Sequence, residues 1–287
     1  MFFQPIHLLL LLLSALGSSH ADRSGIEGVP EGYQLVWSDE FDVDGKPDTA
    51  NWQFEHGYVR NEEDQWYQEE NAWIANGHLI IEARIEDKPN PGYDPASGDW
   101  RASRARIKYT SSSIHTRRKQ AWQFGRFEMR GKIDTRSGLW PAWWTLGTQG
   151  RWPANGEIDI MEYYRDMLLA NVACLGPDGR TEWYDTRLPI DSLGGHNWAT
   201  VFHIWRMDWD EKCISLYVDD RLLNRVELEK LENKDGSGTH PFRQPHYMLL
   251  NFAIGGLNGG PIDDSCFPTR YLVDYVRVYQ RRDQGRK

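Results

Sequence analysis

The sequence predicts an all-β fold, a two-sheet sandwich of the jelly-roll type. Three observations carry that prediction. Short runs of alternating apolar and polar residues recur along nearly the whole chain, and a period of two sets one face of a strand against a core. Gly, Pro and Asp punctuate the runs, as turns between strands require. Long amphipathic helices are missing, and the best helical candidate, 228–232, is a single turn. Many short strands without substantial helices belong to sandwiches and barrels.

The chain opens on a leucine run, 8–13, followed by small residues ending in Ser19-His20-Ala21. That is the pattern of a signal peptide, here 1–21, cleaved after Ala21. The run is too short for a stable membrane span, which needs roughly 20 apolar residues, and no lipid-anchor cysteine follows it. A secreted or periplasmic protein, free of membrane after cleavage, is expected. Residues 22–32 are polar and Gly-rich, a linker, and one domain spans 33–281. Its strands are expected at 33–41, 78–85, 109–115, 126–133, 140–146, 157–163, 169–174, 202–209, 214–218, 247–254 and 271–279. In 126–133, Arg126, Glu128, Arg130 and Lys132 alternate with Phe127, Met129, Gly131 and Ile133. Asp219-Asp220 separates two apolar runs as a hairpin turn would. Segments 86–104 and 177–198 are expected as long loops, which on a rigid sandwich shape binding sites.

Composition narrows the function. The chain holds 14 Trp beside 13 Tyr and 10 Phe, more indole than the core of so polar a chain requires. Indoles suit surfaces that hold flat, weakly apolar ligands and offer them an N–H, and sugar rings are such ligands. A net charge of −9 argues against nucleic acid or anionic membrane as the partner. Segment 101–119 is locally basic, with Arg101, Arg104, Arg106, Lys108, Arg117, Arg118, Lys119 and no acid. It is either a solvated strand edge or a cleft wall facing an anionic polysaccharide. Cys174, Cys213 and Cys266 show no C-x-x-C spacing, so neither zinc nor dithiol redox chemistry is indicated. They form one disulfide at most, or stay reduced.

The chemistry concentrates in Gly156-Glu157-Ile158-Asp159-Ile160-Met161-Glu162. Ile158 and Ile160 mark the apolar face of a strand, so Glu157 and Asp159 share the other. Like charges on one strand face repel, a poor choice for structure alone. Glu162 falls off the alternation by one residue. A β-bulge near Met161 would return it to the face of the other two, and bulges re-aim side chains beside active sites. Two such glutamates leaning together suit a retaining glycosidase, whose carboxyls stand about 5–5.5 Å apart.

That heptapeptide resembles the active-site strand of family 16 glycoside hydrolases, in the bulged form of laminarinases and galactanases. Trp37-Ser38-Asp39-Glu40-Phe41 resembles the family's first strand. Phe124-Gly125-Arg126-Phe127-Glu128-Met129-Arg130 and Gly138-Leu139-Trp140-Pro141-Ala142-Trp143-Trp144 resemble its middle strands. Segment 245–256 and Val273-Asp274-Tyr275-Val276-Arg277-Val278-Tyr279 resemble its last ones. The resemblance implies a concanavalin A-like jelly roll with Glu157 as nucleophile, Glu162 as acid/base and Asp159 tuning both. By the period of two, Trp140 and Trp144 share the cleft face and are assigned to sugar stacking, with Trp143 in the core. The resemblance also offers a structural calcium the oxygens of Glu40, Gly77 (backbone carbonyl) and Asp274, a ligand set suited to that ion. The alternative for these carboxylates is pairing with Arg or Lys. Catalysis requires no cofactor.

Two departures bear on the sugar. Segment 171–176 lacks the His that laminarinases place there, and Leu257 follows Gly255-Gly256 where they commonly carry Trp. The expected activity is a secreted, retaining endo-β-glycosidase acting as a monomer on a polysaccharide, with β-1,3-glucan the leading substrate. The rivals are a β-galactan hydrolase (agar, porphyran or carrageenan type), a transglycosylase, and a non-catalytic lectin, which has no use for an acid/base pair.

Overall fold

A computed structural model describes residues 28–282. The leader 1–21 and most of the linker expected at 22–32 lie outside the described residues. Within them the chain forms two sheets, the sandwich that the alternating runs predicted. The eight-stranded sheet runs Thr181–Tyr184, Met167–Leu175, Glu157–Tyr164, Leu139–Gly147, His246–Ile254, Ser113–His115, Gln53–Phe54, with Arg187–Pro189 also paired to Met167–Leu175. The ten-stranded sheet centres on Gly125–Lys132, Thr269–Arg281 and His203–Trp209. Every expected strand has a counterpart with ends shifted by a few residues, and the Asp219-Asp220 hairpin joins Cys213–Val218 to Arg221–Glu227. The single turn expected near 228 is a 3-10 turn, Leu228–Lys230.

The core lies between the sheets, and parity along the strands decides what enters it. In Leu139–Gly147, Leu139 and Trp143 point into the main core with Phe127, Met129 and Trp205. Ala142 and Trp144 turn to the other face, beside Tyr247 and Leu249. In Glu157–Tyr164, Ile158 and Ile160 face the core, and so does Met161. Two consecutive core residues mark a bulge, and the pairing locates it. Asp159 lies opposite Trp144 and Met161 opposite Trp143, so Ile160 is the additional residue. Past it, Glu162 returns to the face of Glu157 and Asp159, opposite Ala142. All three cysteines are buried and free.

The two expected loops differ from the expectation. Strand His78–Pro89 continues into the first, which then makes the short helix Trp100–Ser103. The second holds two strand segments, Thr181–Tyr184 and Arg187–Pro189, that extend the eight-stranded sheet. Charged residues and prolines of the kind that blunt sheet edges hide such strands in sequence. The basic segment builds no cleft wall either. Arg101 donates to the carbonyls of Tyr58 and Val59, at 3.1 and 2.7 Å. Arg104 donates to those of Glu62 and Glu63, at 2.8 and 2.7 Å. Arg106 pairs with Asp87, and Lys108 with Asp264 at 2.7 Å. These bases brace neighbouring backbone and surface acids.

Trp143 is fully buried with its indole in the main core. Truncation there leaves a cavity the sheets cannot close. Trp143→Ala is expected to lower the unfolding free energy by about 3–5 kcal/mol, measured as a fall in the urea midpoint at unchanged slope.

Candidate active site

A cleft of about 600 Å³ opens on the outward face of the eight-stranded sheet. Its floor comes from alternate residues of adjacent strands. Trp140, Ala142, Trp144 and Leu146 come from one, Glu157, Asp159, Glu162 and Tyr164 from the next, and Asn171 from the third. The bulge is what puts all three acids on this face.

Their electrostatics follow from burial. Asp159 is buried opposite Asn171. Desolvation, with Glu157 and Glu162 on either side, holds its carboxyl well above the usual aspartate range. A protonated Asp159 donates to Glu157. Glu157 is also raised by desolvation, opposed by its hydrogen bonds with Asp159 and Trp152 and by the charge of Arg60. The Trp152 indole N–H donates to Glu157 Oε2. Glu162 is raised to about 8, chiefly by desolvation, with the charges of Glu157 and Glu63 adding to it and the Trp140 N–H opposing. Trp140 Nε1 donates to Glu162 Oε1 at 2.7 Å. The three carboxyls titrate as one coupled set. Within that set, hydrogen bonds from Asp159 and Trp152 favour the charged form of Glu157, while burial favours the proton on Glu162.

The cleft's second wall was not legible in the sequence. The loop carrying Arg60, Asn61 and Glu63 packs beside Trp144, with the Arg60 guanidinium 5.2 Å from the Trp144 ring centroid. Glu55 grips that guanidinium from behind and also accepts from Ser113 Oγ at 2.6 Å. Beneath the loop, Glu63 accepts from Gln65, Tyr67 and Asn61. Tyr67 accepts from Asn251, which accepts from the Trp144 indole. A glycine permits the approach. Gly256 has φ 65°, and a Cβ there would lie 2.7 Å from the Asn61 carbonyl oxygen. The Gly-Gly pair was the only signal of this contact in the sequence.

Trp140 and Trp144 both line the cleft, as parity predicted, and Trp143 does not. Their rings are largely covered, at 4% and 8% exposure, and their N–H groups are engaged. They form floor and brace rather than an open platform. The exposed indoles of the cleft are Trp152 and Trp183, at 52% and 44%.

The calcium ligand set does not fit a cation in this arrangement. Glu40 is held bidentately by Arg277 at 3.0 and 2.8 Å, and Asp274 by Arg130 at 2.5 Å. Guanidinium groups already neutralise both carboxylates. Among the described residues, no cluster of His, Cys, Asp or Glu is arranged to hold a metal.

Comparison with known proteins gives a consistent answer. The family model for Glycosyl hydrolases family 16 matches residues 60–277. A beta-glucanase of Rhodothermus marinus is 36% identical over 94% of this chain and 91% of its own length. The solved laminarinase of Rhodothermus marinus shares 37% identity at a TM-score of 0.69, covering 86% of this chain and 97% of that one. Another solved structure comes from work on endo-acting O-glycanases that members of the human gut microbiota express to initiate mucin breakdown. It is 34% identical at a TM-score of 0.79, covering 89% of this chain and 94% of that one.

The raised Glu162 carboxyl has a consequence for stability. A group raised on folding keeps its full contribution below its unfolded pKa, near 4.5, and loses it as pH rises towards about 8. Glu162→Gln removes that loss. The variant is expected to melt above the wild type at pH 7, by roughly 5–10 °C. At pH 4 the two should melt together. Equal melting temperatures at both pH values would show that Glu162 is not raised.

Proposed function

The chain belongs to glycosyl hydrolase family 16 and is a glycoside hydrolase, and from that premise we propose that it is a secreted, retaining endo-β-glycosidase with β-1,3-glucan as its leading substrate. One observation carries the mechanistic part. Two glutamates share a cleft face across a bulge, one raised to about 8 and the other hydrogen-bonded by an indole N–H and a neutral aspartic acid. That division suits an acid and a nucleophile.

In the first step a Glu157 oxygen attacks the anomeric carbon. The bond to the glycosidic oxygen breaks as the Glu162 proton passes to it, and the aglycone leaves as an alcohol. The glycosyl ester has no charge at Glu157. The negative neighbour that helped raise Glu162 is then gone, and its carboxylate becomes easier to keep. In the second step Glu162 takes a proton from water, whose oxygen attacks the anomeric carbon and releases Glu157. Two inversions give net retention. Asp159 steadies Glu157 in both steps, while Trp140 orients Glu162 and Trp144 floors the sugar site. The leader pattern supports export.

Likeness to a beta-glucanase and to laminarinases supports the glucan. A second reading, a β-galactan or related glycan, is favoured by the TM-score of 0.79 to the mucin O-glycanase structure. The missing His and Trp of the laminarinase pattern point the same way. Reducing-end release from laminarin, agar, carrageenan and mucin O-glycans separates the two. Laminarin alone should yield short oligomers. Activity only on a galactan or on mucin would replace the substrate and keep the mechanism, and tight binding without release would favour a lectin. On the cleaved polymer, Glu157→Ala with azide should give an inverted α-glycosyl azide. Glu162→Ala on an activated leaving group should give the β-azide, and the opposite pair of anomers would exchange the two roles.

A further inference from the structure

The cleft has an exposed indole that the reaction scheme leaves without work. Thr181–Tyr184 pairs with Met167–Leu175, which pairs with Glu157–Tyr164. Ala173 lies opposite both Trp183 and Glu157. Residues opposed across a ladder share a face, so Trp183 stands on the face of Glu157, two strands away, at about 10 Å. Leu169 likewise lies opposite both Arg187 and Glu162. Asp185 sits between Trp183 and Arg187, and all three line the cleft.

This wall is anchored from behind. Asn224 Nδ2 donates to the carbonyls of Tyr184 and Ala170, at 2.9 and 2.8 Å. The Tyr184 hydroxyl donates to the Lys230 carbonyl at 2.8 Å. Thr186 N–H donates to Asn171 Oδ1 at 3.3 Å, beside Asp159. An edge strand fixed at this many points presents Trp183 in one place, with its ring 44% exposed. Asp185 and Arg187 pair at 3.1 Å, so the rim offers acceptors and donors with no net charge.

We propose that Trp183, Asp185 and Arg187 form a subsite for one neutral, hydroxyl-rich pyranose ring, remote from the bond being cleaved. The indole receives the flat C–H face of the ring, and the ion pair reads its hydroxyls. A sulfated ring would meet the Asp185 carboxylate. The subsite deepens the glycosidase reading and rests on it.

The test is the dependence of kcat/KM on chain length, measured with laminari-oligosaccharides and with neutral β-galacto-oligosaccharides. Wild type should gain with each added ring until the subsite is filled. Trp183→Ala should lose about tenfold or more on the longest substrates and keep wild-type values on the shortest. Trp183→Phe should recover most of the loss. Equal melting temperatures exclude a folding cause, and if Trp183→Ala misfolds, Trp183→Leu, which keeps an apolar side chain on the strand without a ring, carries the comparison. Variants that track wild type at every length overturn the subsite and leave the glycosidase standing. A uniform loss at all lengths also overturns it. Wild type that cleaves neither series overturns the reading beneath it.

Discussion

Three carboxyl groups crowded onto one face of one strand, with little water to screen them, are the constraint on which the rest of this molecule depends. Two charges a few ångströms apart repel strongly once water is excluded, and each carboxylate loses hydration. The cleft meets both costs by dividing protons. Burial and two acidic neighbours favour the proton on Asp159, desolvation pushes Glu162 up to about 8, and Glu157 receives hydrogen bonds that favour its charge. The bulge at Ile160 sets the division, because without it Glu162 would point into the core. The extra core contact of Met161 keeps the bulge in place.

Holding that arrangement requires a stiff surround. On one side the Trp144 indole, Asn251, Tyr67 and Glu63 form a continuous hydrogen-bonded chain beneath the Arg60 loop. A buried polar network with its members paired is rigid, because each group lost leaves another unsatisfied. On the other side Asn171 ties the acidic strand's neighbour to the 181–187 edge. Below lies the aromatic core of Trp143, Trp205 and Phe127. The acids are thus fixed by packing from beneath and by hydrogen bonds from both sides.

Whatever depended on strand parity could be read from the sequence. Alternation gave the strands, set Trp143 apart from Trp140 and Trp144, and exposed Glu162 as out of phase until a bulge restored it. What depended on contacts between distant segments could not be read. Arg60 and Glu63 reach the cleft because Gly256 admits their loop and Arg101 and Arg104 hold it, across about forty residues of chain. Trp183 and Arg187 were hidden because the alternate positions between them, Tyr184 and Thr186, are too polar to mark a buried face, in a segment dense with polar residues. The basic run left two readings open for a related reason. Charge in a sequence does not say whether a guanidinium meets solvent, a ligand or its own backbone.

If Glu157 and Glu162 act as nucleophile and acid/base on one face of the sugar site, hydrolysis must retain the anomeric configuration. Proton NMR of the anomeric region, recorded in the first moments of wild-type hydrolysis before mutarotation, tests this most directly. Double displacement predicts that the β-anomer of the new reducing end appears first and the α-anomer grows in later. An α-anomer appearing first would mean a single displacement by water, and would contradict it.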